Sequence, residues 1–265
     1  MSARKSLRGL IPLVLGVVLL AIALAAPAVN TLWTQHVLTT AQARSQANAK
    51  AAIAAKTAQN KVLAAAGLVP NADVFAAAKG DPDAAAHLVG QVSIPKLALV
   101  VPLFDVSSPA LLQQGAVVVP GTSFPSGDPN THAVIAAHDG LFGNELFTHL
   151  DRLTLGDRFL VTIGATTRTY AIERRLIVAP TRTDVLRIEP GRELVTLLTC
   201  TPYMVNTERL LVTAHRVPTL PAASTPKQVA TLGQTRAWLT LAAVLLALMA
   251  LAFWGWRHRV AGRNR

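Results

Sequence analysis

Two uncharged apolar runs, one near each end, constrain this chain more than any other feature. Residues 10–29 (LIPLVLGVVLLAIALAAPAV) and 237–256 (AWLTLAAVLLALMALAFWGW) contain no charged side chain. A helix of about 20 apolar residues is long enough to cross a bilayer. Trp238, Trp254 and Trp256 sit near the ends of the second run, where amphipathic rings favour the lipid–water interface. Basic residues flank the outer end of each run: Arg4, Lys5 and Arg8 in tail 1–9, and Arg257, Arg259, Arg263 and Arg265 in tail 257–265. Positive residues stay inside, so both tails are expected in the cytoplasm and residues 30–236 outside. The first run also fits a cleaved signal segment, with a basic start and small residues near Ala26 and Ala28. Cleavage would leave the second anchor and the external part unchanged.

The same tails explain the charge. The net charge is +11, of which the tails hold seven positive charges and no acid, so +4 is left for the long middle of the chain. That is no basic stripe, and a nucleic-acid partner is excluded. The single cysteine, Cys200, rules out an internal disulfide, a Cys-rich zinc site and a CxxC redox pair. A lone cysteine is more commonly an inert, buried small residue than a reactive one.

Residues 30–88 form the approach to the main domain. Within them 31–66 is rich in Ala, Gln, Lys and Thr and lacks Gly and Pro. Ala is the best helix former, so this stretch reads as a helical stalk or surface helix, with a mobile linker as the alternative. From about residue 89 to 217 β-branched runs recur between Pro, Gly, Asn and Asp: 91–94, 99–104, 116–119, 132–137, 158–164, 168–178, 193–199 and 209–217. Short strands spaced by turn residues point to an all-β barrel or sandwich. Leu141–Leu150 and Asp151–Gly156 read as short helical or irregular connections. The prolines and hydroxyls of 218–236 read as a linker into the second apolar run.

Within the β region Cys200 closes an apolar strand, LVTLLT, and precedes Thr201-Pro202. A strand end holds a group firmly while leaving it reachable. A thiol attacks as the thiolate and needs a neighbour that removes its proton or favours the anion. His138 ends another apolar run, HAVIAA, before the turn pair Asp139-Gly140. His132, His149 and His215 remain open as partners; His36, His87 and His258 lie outside the β region. Arg209 begins the last strand nine residues after Cys200. A hairpin there would bring its guanidinium near the sulfur, where it could hold a thiolate or an oxyanion. The plainer alternative is a surface salt bridge to Glu208 or Asp139. No HExxH, GxSxG, Walker-type or GxGxxG segment is present.

These residues carry a resemblance. TLLTCTPYMVNTERLLV, with Cys200 and Arg209, is similar to the TLxTC…R signature of sortases. THAVIAAHDGLFGNELFTHLDRLTLGD, with His138, resembles their histidine segment, and SIPKLALVVPLF and QGAVVVPGTSFPSGDPNTH match the family upstream. CTPY, the N-T-x-R loop and two apolar end segments look most like class C, the pilin-polymerising sortases. The resemblance implies an eight-stranded β-barrel with short helices, and His138, Cys200 and Arg209 in one groove. It implies a cysteine transpeptidase that cleaves an LPxTG-like signal between Thr and Gly and passes the acyl group to a lysine of another pilin subunit. A housekeeping sortase using a cell-wall peptide amine, and a non-enzymatic membrane-tethered β-barrel binding module, are the alternatives. No cofactor or metal is implied, and the catalytic unit is expected to be monomeric.

Two departures stand out. Class C histidines are usually followed by Arg-Gly, where this chain has Asp139-Gly140. Class C lids often carry Asp-Pro-aromatic; here Asp73-Val74-Phe75 keeps the acid and ring, and Asp81-Pro82-Asp83 keeps Asp-Pro. Asp73 and Phe75 are the better lid candidates by their distance from SIPKL, with an ordinary turn as the alternative.

Overall fold

The computed structural model describes residues 2–70, 75, 83–141, 143–202, 205–218 and 225–263. Eight strands follow the chain: β1 (Leu88–Ile94), β2 (Leu99–Phe104), β3 (Ala116–Val118), β4 (Thr131–Ala136), β5 (Arg158–Ile163), β6 (Thr166–Val178), β7 (Glu193–Thr201) and β8 (Glu208–Val217). They close into a barrel in the order β1-β2-β3-β4-β7-β8-β6-β5. All eight expected strands are present. Closure through β1 and β5 leaves no open sheet edge. Two neighbour pairs, β2–β3 and β4–β7, are parallel.

The pairing explains a difference between the strands. β4 is buried along its whole length, and β7 is buried except at its two ends. A strand covered on both faces reads as a continuous apolar run. The inner face joins the barrel core of Ile135, Val195, Leu197, Phe159, Tyr170 and Val212. The outer face of β4 and β7 meets a second cluster in which Val134, Ala136 and Leu198 pack with Leu111, Leu112 and Leu186. Leu111 and Leu112 come from helix α4 (Pro109–Gln114), which starts on a Ser108 cap and a first-turn proline.

Helix α1 (Ser2–Thr40) leads into α2 (Gln42–Ala66). The latter is a surface helix docked on the barrel. Its Ala49 and Ala52 enter the main core, small enough to let the helix lie close to β1. Asn60, almost fully buried, takes the Phe124 amide at 2.8 Å and donates to the Phe124 carbonyl at 2.9 Å. A short helix, α3 (Ala84–His87), precedes β1. The connection after β4 is irregular apart from a 3-10 turn at Leu150–Arg152.

The linker expected over 218–236 is shorter than read, because helix α5 (Pro226–Arg263) starts inside it. Pro226 opens the helix instead of interrupting it, since the first turn needs no amide donor and suits the fixed φ of proline. Val14–Thr40 and Pro226–Gly255 are each long and apolar enough to cross a membrane. They pack side by side near the barrel, where an added Cβ on the buried Gly233 would stand 3.6 Å from the Thr31 methyl.

Candidate active site

Backbone register brings the sequence-derived candidates together. In the parallel pair, Ala136 is opposite Leu198. The offset continues beyond the strand: the Ala137 amide donates to the Leu198 carbonyl at 3.1 Å, and the Thr199 hydroxyl donates to the Ala137 carbonyl at 2.9 Å. One residue further, His138 stands abreast of Cys200. On the other side of β7, the antiparallel ladder pairs Cys200 with Arg209. Three adjacent chain segments thus present an imidazole, a thiol and a guanidinium at one end of the barrel.

The cysteine and the arginine are buried, and His138 is half-buried. Burial holds the His138 imidazole below the usual histidine range, because removing water disfavours the cation. Arg209 donates from Nη1 to the carbonyl oxygens of Asn206 and Glu208, both at 3.0 Å. The Asn206 bond closes the β7–β8 turn onto the guanidinium and fixes its direction. Asn206 takes a left-handed conformation at φ 60°, which asparagine tolerates better than most residues.

The other histidines do different work. His132 and His215 both pair with Leu194 across β7. Leu194 lies six residues before Cys200, about 20 Å along a strand. His132 is fully buried, bonded to the Arg187 carbonyl at 2.6 Å and to the Thr196 hydroxyl at 2.7 Å. Burial, the larger influence, pushes its basicity down against that carbonyl bond. His215 Nδ1 lies 2.7 Å from Glu173, and His87 Nδ1 lies 2.9 Å from Asp105. His149 is exposed in the connection after β4.

Phe75 covers the site. Its ring centroid is 5.3 Å from that of His138, with the planes tilted by 37°, and the Arg209 guanidinium carbon is 5.2 Å from the same centroid. A cation over a ring face is attracted by the ring quadrupole. Asp73, the other lid candidate, lies outside the described residues, as do Asp81 and Pro82. Asp83 caps α3, accepting from the Ala85 amide at 3.0 Å. Upstream of Phe75, the Val69 amide donates to the Gly121 carbonyl at 3.0 Å. Pro70 shares a small cleft with Leu186, Leu198 and Arg209. Gly121, at φ 80°, must be glycine there, since a Cβ would stand 1.7 Å from the Val69 carbonyl oxygen.

Asp139 has its carboxyl pushed up to about 6 by burial and, next, by the charge of Asp151. Asn144 was not foreseen. Its side chain accepts from Asn30 of α1 at 2.9 Å and donates to the Gln113 carbonyl at 2.9 Å. Its backbone pairs both ways with Leu141. The segment following His138 is therefore pinned to the first apolar helix. No local pattern signals a bond between residues so far apart in sequence.

Comparison with known proteins finds relatives of this barrel. A family model described as the sortase domain matches residues 92–217. The chain resembles sortase C1 of the group B Streptococcus pilus island 1, with 33% identity and a TM-score of 0.62, covering 70% of this chain and 99% of that one. It resembles sortase C-1 from Streptococcus pneumoniae with 38% identity and a TM-score of 0.54, covering 63% of this chain and 92% of the other. Sortase A of Streptococcus agalactiae serotype III (strain NEM316) is 29% identical over 131 residues, 48% of this chain. The chain spans about half the length of that curated relative, 52%. The class C likeness rests on higher identity over more of the chain than the class A one.

Proposed function

The chain belongs to the sortase family, its solved relatives are class C sortases, and on that premise we propose that it is a membrane-anchored cysteine transpeptidase that polymerises pilins. The observation that carries the reading is the alignment of His138, Cys200 and Arg209 across β4, β7 and β8.

The Cys200 thiolate attacks the threonine carbonyl carbon of an LPxTG-like signal, forming the S–C bond. The negative charge moves onto the carbonyl oxygen, where the Arg209 guanidinium stabilises it. As the tetrahedral species collapses, the C–N bond to glycine breaks and protonated His138 gives its proton to the departing amine. The thioacyl enzyme is then attacked by a lysine amine of another pilin subunit. His138 takes the proton from that amine, the C–S bond breaks, and an isopeptide bond remains with the thiolate restored. Phe75, with Asp73 as its companion, acts as a lid that must lift before the signal can enter.

The two apolar helices hold the barrel on the outer face of the membrane, with both basic tails in the cytoplasm. The test is mass spectrometry of the chain incubated with an LPxTG-type peptide. A thioacyl adduct on Cys200 that is missing in Cys200→Ala is the expected result, and an adduct that survives the substitution sinks the assignment. The likeness to a sortase A favours a second reading, with a cell-wall peptide amine as acceptor. Purified pilin decides between them: isopeptide-linked ladders support polymerisation, and their absence with a peptide amine still joined supports anchoring.

A further inference from the structure

The two apolar runs were bounded by sequence alone, the first ending at Val29 and the second beginning at Ala237. Their boundaries meet in space. Pro27, Ala28 and Ala237 line one cavity of about 300 Å3 between α1, α5 and β2, together with Leu24 and Thr240 from within the runs and Asn30, Thr31 and Arg236 from just beyond them. If α1 and α5 span the membrane, as proposed above, these two sequence boundaries lie at one level and mark a single lipid–water plane beside the barrel.

At that plane a second recess of about 370 Å3 opens beside the first, sharing Leu97, Leu99, Glu145 and Arg236 with it. Its other walls are Lys96, Thr148, His149 and Arg152. Lys96 is held by Asp157 at 2.6 Å, so its charge is answered. Arg236 reaches the Leu97 carbonyl at 3.4 Å, which leans it over the recess. Arg152 and Arg236 then face a single acid, Glu145, leaving one positive charge. The first cavity is lined mainly by α1, α5 and β2, the second by Arg236 of α5 and residues of the barrel.

We propose that this paired recess docks an anionic membrane phospholipid, its phosphate between Arg152 and Arg236 and an acyl chain along Leu24, Pro27 and Ala237. The proposal rests on α1 and α5 spanning the membrane. A phosphodiester carries the one negative charge the recess lacks, and a cation at the membrane surface strengthens anionic-lipid binding about fivefold.

The full chain is reconstituted into phosphatidylcholine vesicles with and without phosphatidylglycerol. Release by an alkaline carbonate wash would overturn the spanning reading and this proposal with it. For a retained chain, native mass spectrometry after mild detergent extraction compares bound lipids. Phosphatidylglycerol should be kept in preference to phosphatidylcholine, and the preference should fall about fivefold in each of Arg152→Gln and Arg236→Gln. Both residues are exposed, so unfolding midpoints should not move. Glu145→Gln should raise the preference. Equal retention by wild type and both arginine variants overturns the proposal. So does inorganic phosphate binding the detergent-solubilised chain as tightly as the lipid does, which would make the recess a free-phosphate site.

Discussion

The phenyl ring of Phe75 lies on the imidazole of His138, 5.3 Å between centroids. The ring excludes water from a histidine whose basicity burial has already lowered. Phe75→Ala should therefore return the His138 titration toward 6.5, its ordinary value, as followed by NMR of the imidazole protons. Alkylation of Cys200 by a small thiol reagent should speed up in the same variant. An unmoved titration would mean that Phe75 is not what shields the imidazole.

Cys200 and Arg209 are ladder partners, so the position of the guanidinium is set by backbone hydrogen bonds. Arg209→Lys keeps the charge and loses the planar fork. Thioacyl formation with an LPxTG-type peptide should fall by about 100-fold or more, the usual cost of one oxyanion donor. His138→Ala should cost several orders of magnitude, and the double variant little more, because the groups act on one intermediate. Additive losses would argue for separate roles.

Asp139 gives the fold a pH dependence of definite sign. Its carboxyl titrates at about 6 in the folded chain against 3.8 for the free group. A raised folded value means stability fully present below 3.8 and lost as pH rises to about 6. Asp139→Asn should abolish that loss, followed as the urea midpoint across the window. His138 works oppositely: its folded value lies below 6.5, so its contribution is present above 6.5 and is lost as pH falls. Removing Asp139 alone should therefore leave stability falling more steeply on acidification.

Docking of α2 depends on Asn60. Asn60→Ala would strip both the amide and the carbonyl of Phe124 of a partner in a buried place. That should cost about 2 kcal/mol in urea unfolding. A change of no more than about 0.3 kcal/mol would show that α2 contributes nothing through this contact.

Most of the barrel was legible in the sequence because its strands are short and bounded by turn residues. The exhaustive burial of β4 and β7 is written in HAVIAA and LVTLLTC, runs too apolar to have a solvent face. Phe75 was legible only through resemblance, since nothing local says that a ring in an Ala-rich stretch will reach His138. The start of α5 was misread because proline marks both linkers and first turns, and composition does not separate the two. Asn30 and Asn144 were invisible: each is an ordinary polar residue until the fold sets them side by side.

That asparagine pair has a consequence for how the enzyme meets its substrate. Asn30 lies one residue beyond the uncharged run, and Asn144 belongs to the stretch that follows His138. On the proposed topology, which puts α1 in the bilayer, the bond would set the altitude of the imidazole above the lipid. A slack tether would let the barrel sample many heights; a bonded one would hold it near a single storey. On the proposed function, a sorting signal anchored in the same membrane would have to carry its scissile bond at that storey, so the length of chain between its cleavage point and its own anchor would become part of what is recognised.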